Sequence, residues 1–249
     1  MCLIAWNWQP GSERPFLLAA NRDEFFARPA LPLHWWQDGR ILAGRDLHGG
    51  GTWLGMTRCG RVAALTNFRD PANQRHDAPS RGRLVADFLA GTASASEYLQ
   101  QLTPHAQHYN PFNLLLLDGQ HLMGFESNKA RSFALTPGVH GVSNADFDTP
   151  WPKLVRLKQA LAQLRPVDER NSLMDALQDQ TIAADGQLPR TGIALERERL
   201  LSAAFIQSAD YGTRASSIIR IDAQGAHFYE HTFDAGGSLA TQQFVTAPP

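Results

Sequence analysis

The sequence predicts an α+β protein in which two antiparallel sheets stack on each other and are covered by helices. Short apolar runs rich in β-forming residues, separated by turn residues, predict strands, and several of them are spaced as hairpins. Helical patterns occur in groups between these runs, which is typical of α+β layers and not of a doubly wound parallel sheet. No linker or internal repeat interrupts the 249 residues, so we expect a single domain over residues 1–249.

The first two predicted strands form an antiparallel pair. Cys2–Trp8 is rich in β-formers and ends before a Pro-Gly turn, and Phe16–Ala20 is an apolar run too short for a helix. The second strand runs directly into the polar tetrapeptide Asn21-Arg22-Asp23-Glu24. If the strands pair, this tetrapeptide lies beside the start of the first strand.

The later elements follow from apolar spacing and from turn residues. A second hairpin is predicted from Thr52–Thr57 and Arg61–Asn67, with Gly60 in its turn. Helices are predicted after a Ser80 cap, after a capping box formed by Ser94 and Glu97, after Pro152, over Leu173–Leu177 and over Glu196–Ile206. The other strands are expected at Asn113–Asp118, Leu122–Glu126, Ser216–Ile221, Ala226–Phe233 and Gln242–Thr246.

Composition and charge exclude several classes of protein. The chain has 23 Lys+Arg against 24 Asp+Glu and is 43% hydrophobic, which is atypical of disorder and leaves no basic excess for a nucleic-acid partner. Its apolar runs are too short for a transmembrane segment, and no basic n-region predicts a signal peptide. Two cysteines cannot form a disulfide framework, so a reducing cytoplasmic setting is expected. The oligomeric state stays open.

Cys2 is the first candidate for chemistry, because it follows the initiator Met. Removal of Met1, which a side chain as small as Cys favours, would leave a thiol and a free α-amine on one residue. An α-amine has a pKa of about 7.7–8.0, so it can take the proton from its own nucleophile. The alternative is that Cys2 is a small buried hydrophobic residue in a strand.

The tetrapeptide supplies the charges that such a nucleophile needs. Pairing of the first two strands would bring Arg22, Asp23 and Glu24 close to Cys2. An arginine favours the thiolate, and a carboxylate can orient the arginine or the amine. The alternative interpretation is an ordinary charged surface turn.

These residues together resemble one family. The Met-Cys start, Asn21-Arg22-Asp23-Glu24, Gly49–Gly55 and Leu65–Arg69 are similar to the NRDE-motif family, also named for transport and Golgi organisation. The similarity covers essentially the whole chain. It implies a branch of the N-terminal-nucleophile hydrolases and hence a four-layer αββα sandwich.

A more distant similarity to the choloylglycine hydrolase and penicillin V acylase group implies roles for individual residues. Cys2 matches the nucleophile, and Arg22 with Asp23 or Glu24 occupies the region of an Arg and an Asp. That group separates its Arg and Asp by three positions, so the choice between Asp23 and Glu24 stays open. Asn67 resembles an oxyanion-hole residue, and Asn144 and Arg214 resemble a second Asn and a late Arg. The alternative for both asparagines is a role in turns.

Two functions follow as hypotheses. The first is hydrolysis or acyl transfer through Cys2 on an amide or thioester of a small, partly apolar substrate, with no cofactor or metal. The second, implied by the family resemblance, is a non-catalytic carrier of haem or of acyl-CoA or lipid.

Other motifs are set aside. The His48-Gly49-Gly50-Gly51 run has no accompanying G-x-S-x-G elbow, so its glycines indicate a close backbone approach at the rim of the site. The histidine pairs have no metal-ligand spacing, and Cys59 has no assigned role.

Overall fold

The computed structural model describes residues 2–165 and 168–247. These residues form thirteen strands and five α-helices. The strands are β1 (Cys2–Trp8), β2 (Phe16–Phe25), β3 (Ala30–Trp35), β4 (Ile41–Asp46), β5 (Leu54–Thr57), β6 (Val62–Asn67), β7 (Phe112–Leu117), β8 (Leu122–Glu126), β9 (Arg131–Ala134), β10 (Gly138–Val142), β11 (Tyr211–Asp222), β12 (Gly225–Asp234) and β13 (Gly237–Thr246). The helices are α1 (Gly82–Ala90), α2 (Ala95–Leu102), α3 (Pro152–Ala162), α4 (Glu169–Leu177) and α5 (Leu195–Leu200).

The strands form two antiparallel sheets. Sheet A has the order β10-β1-β2-β11-β12-β13, and sheet B has the order β3-β4-β5-β6-β7-β8-β9. Alternate residues of a strand point to opposite faces of its sheet, so each sheet can bury both faces. Most of the strands in the middle of the sheets are buried throughout, as this arrangement requires.

Three apolar clusters define four layers. One cluster lies between the sheets and includes Ile4 and Trp6 from sheet A with Leu42 and Leu115 from sheet B. A second covers the outer face of sheet B with α1 and α2, and a third covers the outer face of sheet A with α3 and α4. The order helix, sheet, sheet, helix is the αββα sandwich expected from the sequence, and this prediction of the fold is confirmed.

The predictions of turns and helix ends are confirmed in part. The capping box of Ser94 and Glu97 is present in full, and Gly60 has a φ of 77° in its hairpin turn. The predicted cap at Ser80 is wrong, because α1 has Arg81 at its N-cap and no side chain caps it. The predicted helix over Glu196–Ile206 is too long. Beyond Leu200 the backbone bonds to other segments, since the amide of Phe205 donates to the carbonyl of Asp179 at 2.9 Å.

Strand β2 extends five residues further than predicted, through the polar tetrapeptide to Phe25. Both of its neighbours, β1 and β11, continue alongside it and supply backbone hydrogen bonds. The tetrapeptide is therefore part of a central strand and not the turn after it. Strands β3, β4, β9 and β10 have no predicted counterpart, because their residues are mostly half-buried or exposed and lack a clear apolar alternation.

The glycine run crosses another stretch of backbone closely. A Cβ on Gly51 would lie 2.3 Å from the carbonyl carbon of Gly82, and a Cβ on Gly49 would lie 2.5 Å from Oγ of Ser80. The amide of Thr52 donates to the carbonyl of Gly82 at 3.1 Å across this crossing. Contacts between residues 49–51 and 80–82 thus hold the start of α1 against sheet B. The glycines were predicted to mark such a close approach of backbone.

Among the described residues, no helix is both long and apolar enough to cross a membrane.

Candidate active site

A cleft of about 830 Å³ lies at the start of β1, lined by residues from both sheets. Six of the seven site residues predicted from the sequence line it: Cys2, Arg22, Asp23, Glu24, Asn67 and Arg214. Its apolar lining includes Trp53, Leu65 and Phe233. The structure therefore brings predicted residues from four separate parts of the chain to one place.

The pairing of β1 with β2 sets the position of Cys2. In this antiparallel pair Cys2 lies directly opposite Arg22. Directly opposite residues share a face, so both side chains point to the side where the two sheets face each other. Both residues are buried, with Cys2 7% exposed and Arg22 9% exposed. The sequence prediction that Arg22 returns beside Cys2 agrees with this register.

Arg22 is held by carboxylates on the cleft wall. Its Nη2 lies 3.2 Å from Oδ2 of Asp46 and 4.0 Å from Oε2 of Glu24. The same Asp46 oxygen accepts from Nε of Arg28 at 2.6 Å. Burial alone would raise the pKa of Asp46, but hydrogen bonds from Arg28 and from the amide of Gly49 hold it below its ordinary value. This network fixes the guanidinium of Arg22 beside the thiol.

Asp23 is separated from Glu24 by the alternation of the strand. It is 1% exposed, and its Oδ1 accepts a hydrogen bond from Oγ1 of Thr213, directly opposite on β11, at 2.8 Å. Its face is that of Asn21, whose amide bonds to carbonyls of Leu177 and Ala204 in the helical layer. Burial raises the pKa of Asp23 above its ordinary value. The side chains of the two acids thus lie on different faces of sheet A.

The two predicted asparagines are joined through backbone carbonyls. Nδ2 of Asn144 donates to the carbonyl of Asn67 at 2.8 Å, and Asn144 is 1% exposed behind the cleft wall. Its neighbour Ser143 donates through Oγ to the carbonyl of Cys2 at 3.1 Å. The segment after β10 therefore connects the end of β6 with the start of β1, and Asn67 and Cys2 line the same cleft.

Arg214 lies at a β-bulge. The register between β2 and β11 shifts between Thr213 and Ala215, so Arg214 is the extra residue. Its Nη1 donates to the carbonyls of Phe25, Phe26 and Arg28 at 2.9–3.2 Å. Its hydrogen-bond partners are thus neutral carbonyls, and the carboxylates of Glu24 and Asp234 act on its charge from further away.

The charge of the cleft lining is predominantly positive. Seven arginines line it against four carboxyl groups. Arg81 and Arg75, like Arg214, are anchored by backbone carbonyls, those of Pro111 and Gln107 among them. One of the four carboxyl groups, Glu230, is 3% exposed, and burial raises its pKa to about 7. Near neutral pH the cleft therefore carries a net positive charge.

The burial of Cys2 favours the protonated form of its thiol. Burial raises its pKa, and the charge of Asp23 raises it further, while Arg22 opposes them. A protonated thiol needs a proton acceptor before it can act as a nucleophile. Met1 lies outside the described residues, so the free α-amine of Cys2 stays a prediction from the sequence.

Four residues of this region were not predicted: Arg28, Asp46, Lys153 and Glu230. Arg28 and Glu230 lie in ordinary surroundings in the sequence, and Asp46 ends a strand without a clear apolar pattern. Lys153 carries a signal that could have found it, because it lies four residues before Leu157 on the apolar side of a predicted amphipathic helix. A lysine on such a face is buried, and a buried lysine needs a partner.

No group of three or more metal-ligating side chains is present in residues 2–165 and 168–247. The imidazole of His231 stacks on Phe233 at 4.6 Å between ring centroids and bonds to Oγ of Ser238 at 2.6 Å. The rings of His105 and His108 lie 5.8 Å apart and face solvent. These histidines are packed or solvated, as ordinary surface histidines are.

Comparison with solved structures defines the class of fold. The chain is similar to a Caenorhabditis elegans ortholog of N-acylethanolamine-hydrolyzing acid amidase, with a TM-score of 0.52 and 10% identity over 88% of this chain and 92% of that one. It is also similar to a variant of the conjugated bile acid hydrolase of Clostridium perfringens, with a TM-score of 0.53 and 10% identity over 97% and 92% of the two chains. The fold is that of the N-terminal-nucleophile hydrolases.

Within this class the chain belongs to the family Transport and Golgi organisation 2, whose model matches residues 1–235. Curated relatives include the bovine Transport and Golgi organization protein 2 homolog, 35% identical over 90% of both chains. The human homolog is also 35% identical over 90% of both chains, and the Drosophila melanogaster protein is 28% identical over 93% of this chain and 92% of its own. The resemblance drawn from the sequence is confirmed.

Proposed function

We propose that the protein is a cysteine hydrolase or acyltransferase in which Cys2, as first residue after removal of Met1, attacks an amide or thioester carbonyl. The observation that carries the proposal is the position of Cys2, opposite Arg22 on β2 and on the wall of a large cleft. The likeness of the protein's fold to the folds of an acid amidase and a bile acid hydrolase supports the same class of reaction. A thiol nucleophile needs a reducing environment, and both cysteines of the protein are free. A cytoplasmic setting is part of the proposal for this reason.

The reaction divides into two steps. The α-amine of Cys2 takes the thiol proton, the thiolate attacks the carbonyl carbon, and a tetrahedral oxyanion forms. The oxyanion collapses to an acyl-cysteine as the amine or thiol leaves with the proton. Water, or another acceptor, then attacks the acyl group and restores the thiol. No metal or cofactor takes part in these steps.

We assign a role to each of the other residues from its position in the structure. Arg22, held by Asp46 and Glu24, stabilises the thiolate. We assign the oxyanion donor to the side chain of Asn67, which lines the cleft, and assign Asn144 to holding the carbonyl of Asn67. A donor of this kind contributes roughly 10²–10³ in rate. Because β1 and β2 are antiparallel, Asp23 lies beside the amino end of Cys2, where a carboxylate orients the α-amine.

The cleft also indicates the class of substrate. Arginines anchored by neutral carbonyls, such as Arg81 and Arg214, form no ion pair with a carboxylate of the described residues. Trp53, Leu65 and Phe233 supply apolar surface nearby. We therefore propose a small, partly apolar acyl compound that carries an anionic group.

The test begins with the mass of the purified protein and its covalent labelling. Removal of Met1 and acylation of Cys2 by an activated acyl ester are expected, with labelling reduced at least tenfold in Arg22→Ala. Arg40→Ala serves as the matched control, since Arg40 is exposed and does not line the cleft. A retained Met1 would overturn the terminal-amine mechanism.

The carrier function is the alternative outcome. Haem and an acyl-CoA are titrated against the wild type and Cys2→Ala, and release of product from the acyl compound is followed in parallel. Tight binding that is unchanged in Cys2→Ala, with no turnover of any acyl substrate, would replace the hydrolase by a carrier.

A further inference from the structure

Arg81 lines the same cleft as Cys2 and comes from the side of sheet B, at the N-cap of α1. It is half-buried, and its Nη1 donates to the carbonyl of Pro111 at 3.0 Å. The same carbonyl accepts a hydrogen bond from the amide of Phe68 at 2.9 Å, and Phe68 directly follows Asn67. The guanidinium of Arg81 is therefore held at the end of β6, on the Asn67 side of the cleft.

This anchor leaves most of the donors of Arg81 free. A guanidinium carries five N–H donors in a planar fork. In the part of the chain that the structure describes, Arg81 donates through Nη1 alone, so the edge formed by Nε and Nη2 has no protein acceptor there. Two parallel N–H groups on such an edge match the two oxygens of a carboxylate.

Three other arginines of the lining are engaged within the protein. Arg22 and Arg28 both donate to the carboxylate of Asp46. Nε and Nη1 of Arg214 donate to four backbone carbonyls between them. The charges or the donors of these three side chains are thus already used.

The remaining arginines of the lining are poorly placed to hold a ligand. The guanidinium of Arg45 lies over the ring of Trp36, 4.7 Å from its centroid. Arg75 and Arg83 are exposed, so water solvates their charges, and an ion pair formed there contributes little. Arg81 is therefore the half-buried arginine of the described lining whose fork is open to a ligand.

The charges around Arg81 indicate an anion as its partner. Burial lowers the pKa of Arg81, and the charge of Cys2, followed by that of Glu24, opposes this lowering. Glu24 forms its ion pairs with Arg22 and Arg28, and no described carboxylate pairs with Arg81. A cation withdrawn from water without a paired carboxylate is stabilised when an anion binds to it.

We propose that Arg81 is a specificity-determining residue, which binds a carboxylate of the substrate through its Nε–Nη2 edge. The inference deepens the proposed function and rests on it in taking Cys2 as the reactive thiol. One guanidinium balances the single charge of a carboxylate, whereas a phosphate monoester carries about −1.5 to −2 charges near pH 7. The substrate is therefore an acyl compound with a carboxylate that reaches the Asn67 side of the cleft.

The experiment compares alkylation of Cys2 by iodoacetate and by iodoacetamide, which differ in a carboxylate against a neutral carboxamide. A Cys59→Ser background is used, because Cys59 is exposed and would react as well. With either reagent the thiolate sulfur forms the new bond to carbon and iodide leaves, so the ratio of the two rates cancels changes in thiol reactivity. We expect Arg81→Met to lower the ratio of the iodoacetate rate to the iodoacetamide rate about fivefold or more. Arg81→Lys, which keeps the charge without the fork, should give an intermediate ratio.

Arg83→Met is the matched control, because it removes the same charge from the same lining two residues away. It should keep a ratio close to that of the wild type. An unchanged ratio in folded Arg81→Met, or an equal fall in Arg83→Met, would overturn the proposal.

A measurement on the wild-type side chain does not depend on the folding of any Arg81 variant. Succinate should slow the alkylation of Cys2 by iodoacetamide in the Cys59→Ser protein, and neutral succinamide should not. Equal effects of the two compounds would contradict a carboxylate site.

Two activated esters identify the part of the substrate that carries the carboxylate. One has the carboxylate at the end of its acyl chain, and the other is a neutral acyl ester of a carboxylated phenol. Acylation of Cys2 that falls in Arg81→Met only with the first ester places the carboxylate on the acyl side, and a fall only with the second places it on the leaving group. A lowered alkylation ratio without turnover of any acyl substrate would leave Arg81 as the anion-binding residue and remove the hydrolase.

Discussion

At the scale of single residues, the site depends on ionisable groups that the fold has removed from water. Cys2, Asp23, Lys153 and Glu230 are each less than a tenth exposed. Burial shifts each pKa toward the neutral form, upward for the thiol and the two acids and downward for the amine. Their charge states are therefore set by neighbouring charges, and single substitutions should change pH dependence more than packing.

Glu230 gives a stability prediction with a defined sign. Its pKa is about 7 in the folded protein against an ordinary value of 4.5, so between these values the folded state holds a proton that the unfolded state has lost. Stability from this group falls as pH rises through that window and is lowest above pH 7. Relative to wild type, Glu230→Gln should gain about 3 kcal/mol in the free energy of unfolding between pH 4.5 and pH 8, since the two pKa values differ by about 2.5 units and one unit corresponds to about 1.4 kcal/mol.

Urea unfolding at the two pH values measures this difference. Glu196→Gln is the control, because Glu196 is an exposed glutamate on α5. If Glu230→Gln changes the free energy of unfolding by the same amount at both pH values, protonation of this carboxyl group is not linked to folding.

At the scale of elements, β2 connects the core with the site. Its first half places alternate residues in the two apolar clusters on either side of sheet A, as Leu18 and Ala19 do. Its second half keeps the same alternation with polar side chains, so Arg22 faces the cleft and Asp23 faces the helices. The roles of adjacent residues in the tetrapeptide are thus divided by the pleat of the strand.

The docking of α3 on sheet A gives the second prediction. Gly141→Ala would place a Cβ 2.5 Å from Cδ1 of Leu154 and 2.8 Å from the carbonyl oxygen of Ile4, which is backbone and cannot move aside. The variant should lose about 2–3 kcal/mol in the free energy of unfolding, as overpacked cores do. Gly186→Ala is the control, with no heavy atom within 4 Å of the added Cβ, and should stay within about 0.5 kcal/mol of wild type. Denaturant unfolding compares the two, and equal stabilities would contradict close docking at Gly141.

At the scale of the whole molecule, the distribution of charge matters more than its sum. The net charge is −1, yet seven arginines line one cleft. A cleft lined by one sign of charge raises the local concentration of ligands of the opposite sign. The net charge of the whole chain does not reveal this cluster of arginines, which supports the proposed anionic group on the substrate.

Labelling of Cys2 should therefore depend on the charge of the probe. An activated acyl ester with a terminal carboxylate is expected to label Cys2 about tenfold faster than a neutral ester of equal length at low ionic strength. The ratio should approach one in about 1 M salt, where the Debye length is about 3 Å. Rates that do not depend on probe charge at low salt would contradict an electropositive cleft.

The four layers also predict how the molecule unfolds. One apolar cluster joins the two sheets, and the helices on each side pack on these same sheets. We expect a single cooperative transition, with tryptophan fluorescence, which reports Trp6 between the sheets, coinciding with far-UV circular dichroism. Two separated transitions would indicate that residues 1–249 are not one domain.

The sequence by itself determined the features that depend on local pattern. Strand runs, the capping box of Ser94 and the turn at Gly60 involve residues within a few positions of one another, so propensity and spacing predict them. The pairing of the first two strands was also predictable, because a hairpin loop sets the register that brings Arg22 opposite Cys2.

Tertiary structure alone decided the rest. The length of β2 depends on β11, which lies about 190 positions later in the chain and supplies its second set of hydrogen bonds. Asp46 and Glu230 reach the cleft, and Lys153 is buried, through the stacking of layers that no local pattern encodes. The side chains of Asp23 and Glu24 lie on opposite faces of β2. Their surroundings differ only because a different layer packs against each face, which is again a property of the tertiary structure.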